Sequence, residues 1–229
     1  MYMNEKITKL NEMKINKLKN VLKEFEPNVR YEQDLKKKNW FNIGGKSKVF
    51  YRANDLKELS NFLKKLDNKE KIFVLGAGSN TLITDEVFDG VVVNLSKNFN
   101  NISLLGEDVI IAGSATLDKS VSEFAKNNNL GGFEFLSCIP GSIGGGIRMN
   151  AGCFGKEFKD ILLSIQAIDK KGNVVTIPSK KIKFEYRQND LPDDLIFLSA
   201  SFKGIKSNSI KIEEEIKKLK LKKEKNQPT

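Results

Sequence analysis

A strand-like run, Lys71-Ile72-Phe73-Val74-Leu75, passes directly into Gly76-Ala77-Gly78-Ser79-Asn80-Thr81. Glycine lets a backbone approach a ligand closely and adopt positive φ. Successive amides can then converge on a diphosphate as a nest, and Ser79 and Asn80 add side-chain donors. A dinucleotide fingerprint of the Rossmann type needs a third glycine and a following helix. Here Thr81 holds the third-glycine position, and Thr81-Leu82-Ile83-Thr84 has the composition of a strand. A P-loop needs Gly-Lys-Ser/Thr opening a helix, and no such triplet occurs. Any phosphate cradle at this loop is therefore expected between strands. A plain structural turn is the competing explanation.

A second loop spans Leu136 to Gly152 and carries five glycines in twelve positions from Gly141. It is apolar apart from Arg148 and a few small polar residues. A segment so poor in charge is expected to be buried, and its amides then need partners. A ligand could supply them, or the protein itself in a buried crossover.

The surrounding pattern is mixed. Ile7, Leu10, Leu18, Val21, Leu22 and Phe25 have helical spacing, with Pro27 ending the helix. Asn42-Ile43-Gly44-Gly45 is a turn and Val49 to Arg52 a short strand. Asn54-Asp55 offers a cap for a helix whose apolar face is Leu56, Leu59, Phe62, Leu63 and Leu66. Strands follow at Gly90 to Leu95 and Asp108 to Ala112. A helix through Leu117, Val121, Phe124 and Ala125 has Thr116 as its expected cap. Gly131 to Gly155 is expected as one long loop. Ile161 to Asp169 and Val174 to Ile177 flank a hairpin turn, and Leu195 to Phe202 is the last strand. From Ser209 the chain is helical, with Glu213, Glu214 and Glu215 early and lysines late, as the helix dipole favours.

Composition narrows the chemistry. There is no histidine, which excludes Ser-His-Asp and Cys-His catalysis and histidine-metal sites. With two cysteines, Cys138 and Cys153, no structural zinc and no disulfide framework is expected, so no metal is assigned and the cytoplasm is the expected compartment. Met1 to Asn20 has no apolar signal region, and no run reaches the roughly 20 apolar residues of a membrane helix. The net charge of +10 leaves a basic nucleic-acid or membrane-surface protein as one alternative, through Lys36 to Lys38 and Lys217 to Lys225. No aromatic interleaving or known nucleic-acid module accompanies those lysines, so solvated faces are the expectation: no nucleic acid, no membrane, a monomer.

Taken together, Gly76 to Leu82, Ile139-Pro140-Gly141-Ser142-Ile143-Gly144-Gly145, Asn150-Ala151-Gly152 and Tyr186-Arg187 occur in the order and near the spacing of one family. The chain resembles the UDP-N-acetylenolpyruvoylglucosamine reductases, FAD enzymes of peptidoglycan precursor synthesis, over about residues 39 to 229. Asn42 to Gly45 and Asp85 to Gly90 extend the likeness. The resemblance implies an α+β, two-lobed FAD-binding domain of the vanillyl-alcohol-oxidase-like kind. Its parts would be an N-terminal helical segment (1–38), lobe one (39–96), lobe two (97–205) and a C-terminal helix or linker (206–229). It implies non-covalent FAD, with Gly76, Ala77, Gly78, Ser79, Asn80 and Thr81 at the diphosphate. Ile139, Pro140, Gly141, Ser142, Gly144, Gly145, Arg148, Asn150, Ala151 and Gly152 would line the flavin. NADPH would be the hydride donor and a UDP-sugar the substrate, with Arg187 catalytic and Tyr186 beside the substrate. Asn189, Cys153 and Phe154 depart from the family's usual Ser, small residue and Tyr. The family also continues into a third domain, beginning near Gly-Ser-x-Phe, whose Ser protonates the enol intermediate and which carries an assisting Glu. Gln227-Pro228-Thr229 precede that point, so the resemblance implies a chain that is catalytically incomplete as given. Another flavoenzyme with the same domain, such as an oxidase, is the alternative.

Overall fold

The computed structural model describes residues 14–66 and 69–226. Ile7 and Leu10 of the expected leading helix, and Gln227 to Thr229, lie outside the described residues. Residues 14–21 are helical (α1), and a 3-10 turn at Lys23–Asn28 follows. Pro27 sits inside that turn, so the α-helix ends before the proline and not at it.

Two sheets organise the rest. The first contains β1 (Val29–Asp34), β2 (Lys46–Ala53), β3 (Ile72–Val74) and β4 (Phe88–Leu95), in the order β1-β2-β4-β3. β1 is antiparallel to β2, whereas β2 and β3 both run parallel to β4. Residues 29–34 are thus a strand within the segment expected to be helical over 1–38. The Val49–Arg52 strand is longer than its apolar stretch, because ladders on both sides carry it to Lys46 and Ala53. The second sheet contains β5 (Ile102–Leu105), β6 (Val109–Gly113), β7 (Leu162–Ile168), β8 (Val174–Pro178) and β9 (Ile196–Lys203), in the order β8-β7-β9-β6-β5. All its pairings are antiparallel. β7 and β8 form the expected hairpin around Lys170 to Asn173.

Helix α2 (Leu56–Lys65) starts where the sequence places it: the Glu58 amide donates to Asp55 Oδ1 at 2.8 Å. Its Leu59, Phe62 and Leu63 face a core shared with Val49, Tyr51, Ala53, Val91 and Val93 of the first sheet. Ile168, Ile196 and Leu198 of the second sheet complete that same core. Tyr51 stacks on Phe62 with ring centroids 3.7 Å apart, and Phe25 meets both edge-on. Helix α3 (Asp118–Asn127) begins later than expected. Leu117 precedes it without a side-chain cap, and Thr116 is drawn into backbone pairing instead.

Two further expectations change. Thr81 to Thr84 is not a strand. It passes so close to the Asn42 to Gly45 turn that a Cβ on Gly45 would lie 2.3 Å from the Asp85 carbonyl oxygen. One backbone bond, from the Gly45 amide to Thr84 O at 2.7 Å, replaces a ladder. The expected loop Gly131 to Gly155 contains a 3-10 turn, Glu134–Cys138, and a short helix α4 (Ile143–Arg148). Glycine disfavours helix, but Ile143 and Ile147 are fully buried against the second sheet, and this tertiary burial outweighs the propensity. The C-terminal helix α5 (Ser209–Asn226) packs Ile212 and Ile216 against the body, and Lys126 Nζ bonds Glu213 at 2.8 Å.

Because Phe62 joins elements of both sheets, Phe62→Ala should lower the unfolding free energy by about 3–5 kcal/mol, the range for emptying an aromatic core site. Urea denaturation followed by far-UV circular dichroism measures this.

Candidate functional site

A cleft of about 1350 Å³ runs along β3 and past Asn94 and Leu95 at the end of β4, and residues of α4 also line it. All of Gly76 to Thr81 lines it. So do Ile139 to Ser142, Gly144, Gly145, Arg148, Ala151, Gly152 and Arg187. Asn150 and Tyr186 do not.

The two glycine-rich loops meet across this space. A Cβ on Gly76 would lie 2.7 Å from Ser142 Oγ, and one on Gly141 would lie 2.8 Å from Asp118 Oδ2 and 3.8 Å from Ser79 Oγ. Gly78 has φ +67°, and a Cβ there would sit 2.4 Å from the Lys38 carbonyl oxygen. The Gly78 carbonyl in turn accepts the Trp40 amide at 3.0 Å. Only glycine combines that torsion with that approach.

The second loop is held largely by the protein itself. Asp118 N–H donates to Gly141 O (3.1 Å), Ile143 N–H to Thr116 O (2.9 Å) and Gly144 N–H to Ser114 O (3.0 Å). The Ser114 amide continues this chain onto Leu198 O of β9 at 2.9 Å. The loop therefore opens a helix, unlike the first loop, and part of its backbone is satisfied without a ligand.

The arginines divide the work. Arg148 donates to three carbonyls, Leu191 O (3.1 Å), Pro192 O (3.0 Å) and Leu195 O (2.7 Å), and its guanidinium lies over the Phe197 ring. Burial holds its pKa below the ordinary arginine value, against the pull of Asp193 and Asp194. Its geometry is that of a clamp on residues 191–195. Arg187 stands in the two-residue turn between the short paired strands Phe184–Glu185 and Gln188–Asn189. Its φ is +61°, an uncommon conformation for a non-glycine residue, of the kind that gathers at functional sites. It is exposed and, among the described residues, makes one bond, from Nη2 to Gly152 O at 3.3 Å. Its other N–H groups have no hydrogen-bond partner among the described residues and can meet an anion. Tyr186 is 80% exposed, with the Arg187 guanidinium near its ring. Asn150 is buried and supports the wall from behind: it donates to Glu157 Oε2 and Glu185 O, both at 3.1 Å, and accepts from the Lys159 amide. Asn189 Nδ2 bonds the Ile147 and Arg148 carbonyls at 3.0 and 2.8 Å, which ties the Arg187 turn to α4.

Sequence reasoning missed Ser114 and Asp118, which also line the cleft. Asp118 looks like an ordinary first-turn acid. In the structure it is completely buried, and neither carboxylate oxygen has a hydrogen-bond partner among the described residues. Burial pushes its pKa up to about 8.

Fold and cleft together are those of a flavin-binding α+β domain. A family model described as an FAD binding domain matches residues 47–178. A glucose dehydrogenase, a variant of the protein Phl p 4, shares the fold at a TM-score of 0.57 and 12% identity, over 82% of this chain and 44% of that one. The UDP-N-acetylenolpyruvoylglucosamine reductase of Pelagibacter ubique is 63% identical over 217 residues, which are 95% of this chain and 72% of that protein. A Rickettsia bellii protein of the same name is 46% identical over 180 residues, 79% of this chain and 60% of its own length. The crystal structure of the Thermus caldophilus reductase matches with a TM-score of 0.76 at 26% identity, over 88% of this chain and 71% of that one. The chain belongs to the UDP-N-acetylenolpyruvoylglucosamine reductase family. It is a flavoprotein of the oxidoreductase class, and it spans about three-fifths of the Rickettsia relative's length.

The residues present fit FAD. The cleft exceeds the roughly 300–1,000 Å³ typical of small-ligand pockets, as a dinucleotide requires. Both loops are glycine where any side chain would fill the gap between them. Ser114 Oγ and the Asp118 carboxyl are buried polar groups beside that gap, unpaired among the described residues.

Asp118 makes stability depend on pH. Its folded pKa lies above the ordinary 3.8, so the native state binds the proton more tightly than the unfolded state. Its contribution is complete below pH 3.8 and is lost as pH rises to about 8. Asp118→Asn should therefore flatten the decline in unfolding free energy between pH 5 and pH 8, as read from urea titrations at the two pH values.

Proposed function

We propose that this chain binds FAD non-covalently in the interlobe cleft, as the flavin-binding part of an NADPH-dependent reductase acting on a UDP-N-acetylglucosamine enolpyruvate in cell-wall precursor synthesis. The observation that carries this is the meeting of the two glycine-rich loops across one large cleft with Arg187 at its rim. Gly76 to Thr81 would offer backbone amides, with Ser79 and Asn80 as side-chain donors, to the diphosphate. Ile139 to Gly145 would form the apolar wall along the isoalloxazine. Arg148 holds residues 191–195, of which Pro192 to Leu195 line the same cleft. When bound, FAD supplies the hydride that NADPH provides to it. Arg187 would receive the substrate carboxylate, since its planar fork binds a carboxylate through two donors. Tyr186, on the same turn, would flank the sugar-nucleotide outside the cleft.

We further infer a monomeric, cytoplasmic protein that does not bind nucleic acid. Two free cysteines suit a reducing compartment. Several lysines are engaged with carboxylates, among them Lys48–Asp89, Lys126–Glu213 and Lys206–Glu107. Among the described residues, no helix is long and apolar enough to cross a membrane.

The purified protein should take up one FAD, seen as a shifted flavin absorbance band and quenched flavin fluorescence on titration. A protein that stays colourless after saturation and gel filtration would sink the proposal. Gly141→Ala should weaken FAD binding by about tenfold or more with the far-UV spectrum retained, since overpacking of this size costs about 1–3 kcal/mol.

In the FAD complex, the enolpyruvyl substrate should perturb the flavin spectrum. Arg187→Met should raise the substrate concentration needed by about 10- to 150-fold, the equivalent of about 1.5–3 kcal/mol for a charged hydrogen bond.

A further inference from the structure

One acid lining the cleft is left without a partner by the protein itself. Asp118 is the first residue of α3, and it is 0% exposed. Its amide is used, donating to Gly141 O at 3.1 Å. Its two side-chain oxygens have no hydrogen-bond partner among the described residues. The carboxyl stands where the two glycine-rich loops approach each other. The point that a Cβ on Gly141 would occupy is 2.8 Å from Asp118 Oδ2 and 3.8 Å from Ser79 Oγ. Glycine at 141 leaves that point open between a hydroxyl of the first loop and the buried acid.

The charged groups around Asp118 do not compensate it. The segments 76–81, 114–117 and 139–142 contain no titratable side chain, and neither does the short strand Leu130–Gly131 packed on α3. On α3 itself, Lys119 and Glu123 are exposed, and Lys126 is paired with Glu123 and with Glu213 of α5. The turn packed on α3 carries Glu134, which accepts the Gly132 amide, and Cys138, whose carbonyl accepts from Lys223. Burial alone raises the Asp118 pKa, to about 8, with no charged neighbour contributing. An ionised carboxylate removed from water and from every donor is far more costly than a neutral one. The neutral form carries an O–H that still needs an acceptor.

We propose that Asp118 is a phosphate-binding acid: its protonated carboxyl donates a hydrogen bond to an oxygen of the FAD diphosphate, so that FAD binding is coupled to a proton. The inference rests on the reading of the cleft as an FAD site. A diphosphate oxygen is a charged acceptor, and an O–H bond to it is of the short, strong kind. It would satisfy the one donor that the fold leaves over, with Ser79 Oγ on the other side of the same gap. Ionised, the same carboxyl would set a like charge beside the diphosphate and lose the donated bond. The bound state therefore holds the proton more tightly than the free state, and affinity is full below about pH 8 and falls above it.

The test titrates FAD into the purified protein by calorimetry at pH 8, in two buffers of different ionisation enthalpy, and follows the dissociation constant by flavin fluorescence from pH 6 to pH 9. About half a proton should be taken up per FAD at pH 8, and the dissociation constant should be about tenfold higher at pH 9 than at pH 6. Asp118→Asn keeps a donor and has no charge at any pH, so it should take up no proton and give a flat profile. Asp118→Leu, close in size but without a donor, should weaken binding at pH 6 by about tenfold or more with the far-UV spectrum retained. If that variant fails to fold, the wild-type profile and Asp118→Asn decide. FAD binding without proton uptake and equally tight at pH 6 and pH 9 would overturn the proposal and leave the FAD site standing. So would a folded Asp118→Leu that binds as tightly as the wild type. A wild-type protein that takes up no FAD at pH 6 would overturn both readings.

Discussion

The site depends on three backbone hydrogen bonds that join residues 114–118 to residues 141–144. They let a glycine-rich segment be buried without leaving its amides stranded, a cost that would otherwise fall on each unpaired group. They also seat α4, whose Ile143 and Ile147 then fill the core beneath the second sheet. The Ser114 amide passes the connection to β9. The wall of the cleft is therefore an extension of a sheet, and its position follows from ladder geometry.

That arrangement explains the division of labour among the polar residues. Arg148 and Asn150 sit in the glycine-rich segment that the family resemblance assigns to the flavin, and Asn189 stands in a turn where the family usually has Ser. Each spends its hydrogen bonds on backbone carbonyls, carboxylates or amides of the wall. Arg187 differs, with one long bond among the described residues and an exposed fork. Among the described residues, Ser114 Oγ and the Asp118 carboxyl beside the gap between the loops also keep capacity for a partner.

Much of this was legible because the signals are local. The β3-to-glycine transition, the Asp55 cap and the hairpin of β7 and β8 each follow from neighbouring residues. The unread parts are non-local. β1 is polar and half-exposed, and only its pairing with β2 makes it a strand. Helix α4 has three glycines and forms because of what it buries. The Arg148 clamp spans more than forty residues of sequence, and the burial of Asp118 comes from a loop that arrives later in the chain. No window of adjacent residues contains such information.

The core around Phe62 bears on modularity. α2 and the first sheet lean on Ile168, Ile196 and Leu198, residues that arrive well after the first sheet has ended in sequence. Ser60 Oγ also donates to Gly172 O at 2.8 Å across the same junction. The first sheet and α2 therefore have no complete interior without β7 and β9, whereas the interior under the second sheet is built from residues 102–202 alone, so the dependence across the junction runs in one direction.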